Sequence, residues 1–378
     1  MALIKIASII PYKILPPVKG GEKAIFYFWK YFSKYAELHV ISVKENAERD
    51  SFMPISPILT STHNKWRYVN PALYFKVKKY CRRHGVNAVV MEHPYYAWLG
   101  YLLQRFAGIK WIIRSHNIEA IRFKTIGKWW WRILHKYEKF AHGYADYSFF
   151  ITEEDRQYAI AHYEVNPSKT AVITYGIENN MAPSLEEKAQ MHQTVCEELG
   201  LPPHTRLILF NGSLSYGPNR TGLEAILHRI NPLLQHKIQD PYKIIICGSG
   251  LPAEYDELRT YAKQHILYKG FVEDIHKYFK AADVFINPIT EGGGIKTKLV
   301  EALAANTPCV SFETGAWGVP VAVTGNHLSV VADRGYEQFV DAIINKLQSK
   351  SENIPSLFFE HFYWGAVVHK AADILKRL

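Results

Sequence analysis

The stretch VFINPITEGGGIKTKLVEALAANTPCV (residues 284–310) runs from an apolar strand-like segment through three glycines into residues of helical period, then into a second apolar run. Val284–Asn287 reads as a strand. A helix is expected from near Ile295, with Leu299, Val300 and Leu303 as its buried stripe, and Cys309–Phe312 reads as the next strand. Three glycines let a backbone come close to a ligand, and the free N–H groups and positive dipole end at a helix start favour a phosphate. Lys296 and Lys298 stand in the first turn, where the dipole prefers acids, so the turn calls for an anion. Glu301, about two turns beyond the glycines, is placed to accept hydrogen bonds from sugar hydroxyls.

The same alternation extends in both directions. Upstream, strands are expected at Ile4–Ile10, Leu38–Val43, Ala88–Met91, Trp111–Arg114, Tyr147–Ile151 and Ala171–Thr174. An acidic, Pro-containing stretch from Glu178 to Thr205 intervenes, and strands resume at Leu207–Phe210, Ile244–Cys247, Val284–Asn287, Cys309–Phe312 and Leu328–Ala332. Short runs rich in Ile, Val and Phe between helical segments are the mark of parallel sheets covered on both faces. With 378 residues, the chain is long enough for two such domains. In doubly wound sheets ligands bind at the carboxyl ends of the strands, so the residues that follow strands carry the functional reading.

Composition excludes several classes. At 48% hydrophobic and 21% charged the chain is globular rather than disordered. Cys81, Cys196, Cys247 and Cys309 show no CxxC spacing, which signals neither a disulfide framework nor a zinc site, and no carboxylate pair has evident Mg²⁺-ligand spacing. The start, MALIKIASIIPY, has too short an apolar run for a signal peptide, and no run is long enough to span a bilayer. A cytoplasmic protein, at most peripheral on the cytoplasmic face of the inner membrane, is expected.

The net charge of +10 is unevenly placed: residues 1–150 carry 24 basic and 9 acidic side chains, residues 151–378 carry 21 and 26. Seven of the nine Trp lie in the basic half, and residues 121–140, IRFKTIGKWWWRILHKYEKF, concentrate both features. Three consecutive Trp cannot all face one core, so the stretch is expected to meet an anionic membrane surface. No recognition module for nucleic acid accompanies it.

GGGIKTKLVEALAANTPCV resembles the donor-binding signature of the retaining, GT-B-fold nucleotide-sugar glycosyltransferases of family four, in the variant GxGxKxKxxEAxAxGxP. ILFNGSLSYGPN (208–219), IIICGSGLP (244–252) and YKGFVEDIHKYFKAADVFINP (268–288) are similar to further segments of that family's second domain. PPVKGGEKAI (16–25) and IRSHNIEAIR (113–122) are similar to segments of its first domain. The resemblance implies two Rossmann-like doubly wound α/β domains facing across a cleft. The N-terminal acceptor-side domain would comprise residues 1–180 plus about 360–378, its C-terminal helix crossing back, and residues 181–359 would form the donor domain.

The resemblance also implies residue roles. Glu301 would hold the ribose hydroxyls. The family's first glutamate falls eight positions earlier, on Gly293, with Glu291 as the nearest carboxylate, and His116 would reach the donor sugar. Gly20, Gly21, Gly212, Ser213, Arg220, Gly248, Gly250 and the turn Gly292, Gly293, Gly294, Ile295, Lys296, Thr297 and Lys298 would bind the donor, with Gly292–Gly294, Lys296 and Lys298 on its phosphates and Gly248 and Gly250 letting the nucleotide lie against the backbone. Phe271 and Val272 would offer the base an apolar wall. The family's phosphate-clamping bases are replaced here by Ser213 and Asn219, so Lys296 and Lys298 are expected to supply the charge, without a metal or other cofactor. The implied activity is retaining transfer of a sugar from a nucleoside diphosphate sugar to a glycan or lipid-linked acceptor, in cell-surface polysaccharide or lipopolysaccharide synthesis. The missing glutamate keeps a nucleotide-sugar-binding protein without turnover open, and the architecture keeps a sugar-nucleotide epimerase open.

Overall fold

In the computed structural model, which describes residues 4–46, 53–64, 66–350 and 352–378, the apolar runs form two parallel sheets. Met1–Leu3, and Ser51, Phe52 and Lys65 of the basic half, lie outside the described residues. The chain divides into two compact units: residues up to Gly176 together with Phe362–Leu378, and Ile177–His361.

Among the described residues the first unit holds seven strands: β1 (Ile4–Ile10), β2 (Ala36–Val43), β3 (Ile55–Leu59), β4 (Ala88–Glu92), β5 (Lys110–Ser115), β6 (Tyr147–Phe150) and β7 (Thr170–Val172), in the order β3-β2-β1-β4-β5-β6-β7. The second holds β8 (Arg206–Asn211), β9 (Tyr242–Cys247), β10 (Ile266–Gly270), β11 (Val284–Asn287), β12 (Cys309–Phe312) and β13 (Leu328–Val331), in the order β10-β9-β8-β11-β12-β13. Every pairing is parallel. Strands buried on both faces, such as β8 and β11, read as unbroken apolar runs. The apolar pattern misses β3 and β10, two edge strands whose apolar runs are short and interrupted. β3 carries Pro57, both leave most residues partly exposed, and each pairs with one neighbour.

In each sheet the strand order reverses once, between β1 and β4 and between β8 and β11. Crossover connections diverge at such a point and leave a crevice at the carboxyl ends. The residues that follow β1, β4, β8 and β11 therefore line a crevice in their own unit.

The C-terminal helix Trp364–Arg377 buries Trp364, Val367, Val368, Ala371, Ala372 and Leu375 in the first unit and packs on the helix Gly20–Phe32. Trp364 fills a notch over Gly176, where a methyl would stand 2.3 Å from the indole, and the Tyr175 ring meets it edge-on at 5.5 Å. Replacing Trp364 with Ala leaves that notch empty and is expected to cost about 3–5 kcal/mol, read as a shift of the urea-unfolding midpoint of the first unit.

Candidate functional site

In the second unit, β11 ends at Asn287 and the next helix, Thr297–Ala304, begins two residues later than expected, with Lys296 at its cap. Gly292 and Gly294 between them have φ of 85° and 69°, the left-handed region that glycine adopts without strain. Leu299, Val300 and Leu303 are fully buried and anchor the helix. Its first turn is thereby fixed beside the reversal between β8 and β11.

The two lysines of this turn do different things. The Lys296 ammonium folds back to donate to the carbonyl oxygens of Gly292 (2.9 Å), Gly293 (3.2 Å) and Gly294 (2.9 Å), so it organises the turn. The Lys298 ammonium reaches across the reversal. It donates to the last carbonyl of β8, on Asn211, at 2.9 Å and to Asn219 Oδ1 at 3.0 Å, and lies 4.7 Å from the centre of the Phe210 ring. Among the described residues no carboxylate contacts it there. Burial, with the neighbouring charge of Lys296, pushes its pKa down to about 7. Such a cation gains by meeting an anion.

The β8 loop completes this crevice. Asn219 Nδ2 donates to the Ser213 carbonyl at 2.9 Å, and the Ser213 and Ser215 hydroxyls are 2.9 Å apart. The Gly212 N–H donates to the Cys247 carbonyl (3.0 Å), and the Gly248 N–H to that of Gly270 (2.7 Å), which locks the ends of three strands together. Gly250 packs against Ser215, and Arg220 lies on the following helix, Gly217–Ala225, partly exposed. Tyr216, half exposed, brings its hydroxyl close to Gly292. Glu301 and Thr297 are partly exposed on the helix after the turn, Ile295 and Gly293 are partly exposed in the turn, and Glu291 is exposed at its start. Phe271, just beyond β10, is 71% exposed and Val272 partly buried, leaving an aromatic face in solvent at the same end of the sheet.

A cavity of about 1030 Å³ in this unit lies at the other end of the sheet, among residues that precede the strands. Its buried Lys188 donates to the carbonyl oxygens of Lys280 and Ala305 and to the Thr307 hydroxyl, capping helix C-termini, so its charge is spent on structure.

In the first unit the carboxyl ends of β1, β4 and β5 carry a cluster that the sequence did not reveal. Glu92, buried at the end of β4, accepts from Trp29 Nε1 (2.7 Å), Arg114 Nη1 (3.0 Å) and His116 Nε2 (2.6 Å). Burial alone would raise its pKa, but Arg114 and His116 hold it at about 2. Burial, with His93 and Arg114, pushes His116 down to about 4, so its imidazole is neutral at pH 7. Its Nε2 proton goes to the Glu92 carboxylate, which leaves Nδ1 as the lone-pair nitrogen. His93 stacks on His116 at 4.4 Å with φ of 70°, and is held between the Tyr12 hydroxyl (2.9 Å from Nε2) and Glu119 (3.5 Å from Nδ1). Gly20 and Gly21 are the first two residues of their helix rather than a preceding loop, and Glu22 accepts from the Val18 and Lys19 N–H groups just ahead of them. His93, Glu92 and Tyr12 escape a sequence reading because none lies in a motif. Their one signal is position, at the end of a strand or within two residues after it.

Two Rossmann-like units of parallel sheet, with a C-terminal helix that returns to the first, define the GT-B fold class. Residues 205–349 match the family model of Glycosyl transferases group 1, and residues 18–180 that of Glycosyltransferase Family 4. The chain belongs with the GT-B glycosyltransferases as a family 4-like member. The D-inositol 3-phosphate glycosyltransferase of Corynebacterium diphtheriae is 28% identical over 247 residues, 61% of this chain and 56% of that protein. The chain spans about half the length of the curated relatives it matches. A glycosyltransferase from Rickettsia africae and Anabaena Alr3699/HepE in complex with UDP each give a TM-score of 0.74 over 99% of this chain, and 98% and 100% of theirs. At 16% and 17% identity, these likenesses are of fold.

A methyl on Gly248 would stand 1.9 Å from the Gly212 carbonyl oxygen. Gly248→Ala therefore has to part β8 from β9 at the crevice. It is expected to cost about 3 kcal/mol and to lower the thermal midpoint of the second unit by about 6–12 °C, as followed by calorimetry.

Proposed function

We propose that the chain is a retaining glycosyltransferase that moves a sugar from a UDP- or GDP-sugar to a hydroxyl of a glycan or lipid-linked acceptor, in the synthesis of a cell-surface polysaccharide or lipopolysaccharide. The observation that carries this reading is Lys298. It is a cation without a carboxylate partner among the described residues, held at the strand reversal beside the glycine turn and within the region that the glycosyltransferase group 1 model matches. UDP is the nucleotide to test first, because it is the ligand named for Anabaena HepE.

In this proposal the diphosphate lies against the backbone of Gly292–Gly294 and Lys298, the ribose against Glu301, and the base against Phe271 and Val272. Lys296 acts through the turn whose carbonyls it gathers. Gly212, Ser213, Gly248, Gly250 and Arg220 border the nucleotide. His116 accepts a hydrogen bond from a donor-sugar hydroxyl through Nδ1, while Glu291 or the Gly293 backbone meets the sugar from the donor side. The bond between the anomeric carbon and the phosphate oxygen breaks as the acceptor oxygen attacks the same face, and the acceptor's proton passes to the leaving phosphate. Because charge develops on that phosphate, stabilising it is the main electrostatic task, which Lys298 and the turn N–H groups perform without a metal. Two other readings are separated by assay: the glycine at position 293 motivates a nucleotide-sugar-binding protein without turnover, and the two-domain architecture motivates a sugar-nucleotide epimerase. If donor binds but no acceptor ever releases nucleoside diphosphate, the chain is a binding protein. A new sugar formed from donor alone marks an epimerase.

Lys298→Ala and Glu301→Ala should each lower turnover by more than about 100-fold with an unchanged circular dichroism spectrum. Normal rates from both would sink the assignment, and turnover in EDTA should match turnover without it. Binding carries a pH signature. An anion beside Lys298 draws its pKa from about 7 back toward the ordinary 10.5, so binding takes up a proton between those values. UDP affinity should then weaken as pH rises through that window, by up to about tenfold per unit, and calorimetry on Lys298→Met should show a flat profile.

A further inference from the structure

The turn that joins the helices Glu119–Thr125 and Trp131–Tyr144 in the first unit has no role in the chemistry described so far. Its three consecutive tryptophans take three different places. Trp130 packs on Phe123 at 4.5 Å, Trp131 lies between Lys124 (5.0 Å) and Arg132 (5.5 Å), and Trp129 is 81% exposed. Ile126 and Ile133 flank it in sequence, 48% and 62% exposed.

This exposure belongs to an ordered turn. Gly127 has φ of 72°, and backbone bonds from Gly127 to Lys124, Lys128 to Phe123 and Trp131 to Lys128 close it at 3.0–3.2 Å. The buried Glu138 carboxylate ties the two helices together by accepting from the N–H groups of Glu119 (2.9 Å) and Ala120 (2.8 Å) and from the Tyr163 hydroxyl (2.9 Å). Tyr137 and Phe140, further along, turn inward against Tyr95 and Tyr101, so the apolar surface ends near Lys136.

Around the apolar residues stand the exposed cations Lys124, Lys128, Arg132 and Lys136, and no Asp or Glu occurs from Ala120 to Tyr137. That charge selects the partner. A second copy would set cations against cations, and a nucleic acid would satisfy the lysines but give Ile126 and Ile133 nothing to bury against. A surface with phosphates outside and hydrocarbon beneath satisfies both sets.

We propose that this turn docks the first unit on an anionic lipid surface, with Trp129 inserted, Ile126 and Ile133 beside it, and Lys124, Lys128, Arg132 and Lys136 among the headgroup phosphates. The proposal narrows the whole basic stretch 121–140 to one turn. It is independent of the transfer reaction, since docking is read without donor or acceptor.

The test uses the full chain and sucrose-loaded vesicles of phosphatidylcholine, with or without phosphatidylglycerol. The protein should sediment with the anionic vesicles, release at high salt, and ignore pure phosphatidylcholine. Lys128→Gln combined with Arg132→Gln should lower the partition coefficient roughly 25-fold, about fivefold per charge. Trp129→Ala combined with Ile133→Ser should lower it by about tenfold or more, and Trp129→Ala alone should remove the quenching of tryptophan emission by brominated phosphatidylglycerol. All four side chains are solvent-facing, so the variants should keep the parent's melting curve. No binding to anionic vesicles at low salt overturns the proposal, as does full binding by the Trp129/Ile133 variant. Retention on heparin without vesicle binding also overturns it, in favour of a soluble polyanion.

Discussion

The contact between the Lys298 ammonium and the last carbonyl of β8 is the constraint around which the second unit's crevice is arranged. A lysine on one crossover helix reaches the end of a strand belonging to another, and it can do so only where the strand order reverses and the two connections part. Its partners are a carbonyl, an amide oxygen and an aromatic face, all neutral. They orient the charge without cancelling it. A carboxylate in their place would give a more stable lysine and a poorer anion receptor. The glycine turn follows from the same need, since side chains there would hold a ligand away from the backbone N–H groups.

The first unit meets a related requirement by opposite means. There a charge is buried outright, and Glu92 is kept ionised by one guanidinium, one indole N–H and one imidazole. Removing any one donor leaves a buried carboxylate short of partners, the costly way to break such a network. That same network fixes which nitrogen of His116 carries its proton. His93, in a backbone conformation uncommon for its type, is clamped against the other face of this arrangement by Tyr12, Tyr95 and Glu119.

How much of this was legible follows from where each signal resides. The interior strands, the glycine turn, Lys298 and the stripe Leu299, Val300, Leu303 are local in sequence, and the residues alone identify them. The edge strands β3 and β10 were not legible, because half-exposed backbone needs no apolar run and Pro57 argues against a strand. Lys296 and Lys298 look alike in the sequence. Only the fold of the turn separates the one that clamps glycine carbonyls from the one that crosses to β8. The Glu92 cluster was hidden for another reason. Trp29, Glu92 and Arg114 are far apart along the chain, and the fold gathers them by packing the helix Gly20–Phe32 against the carboxyl ends of the neighbouring strands β4 and β5.

Trp364 closing over Gly176 also bears on synthesis. Residues 177–361, which form a unit of their own, are made between the notch and the side chain that fills it. As the chain leaves the ribosome, the sheet of the first unit is complete at β7, yet its surface at Gly176 stays open until the entire second unit has followed. Domains generally fold as units in the order in which they emerge. In this protein the first to begin is the last to finish, and a nascent chain arrested anywhere before Trp364 carries an uncovered apolar notch for chaperones to recognise.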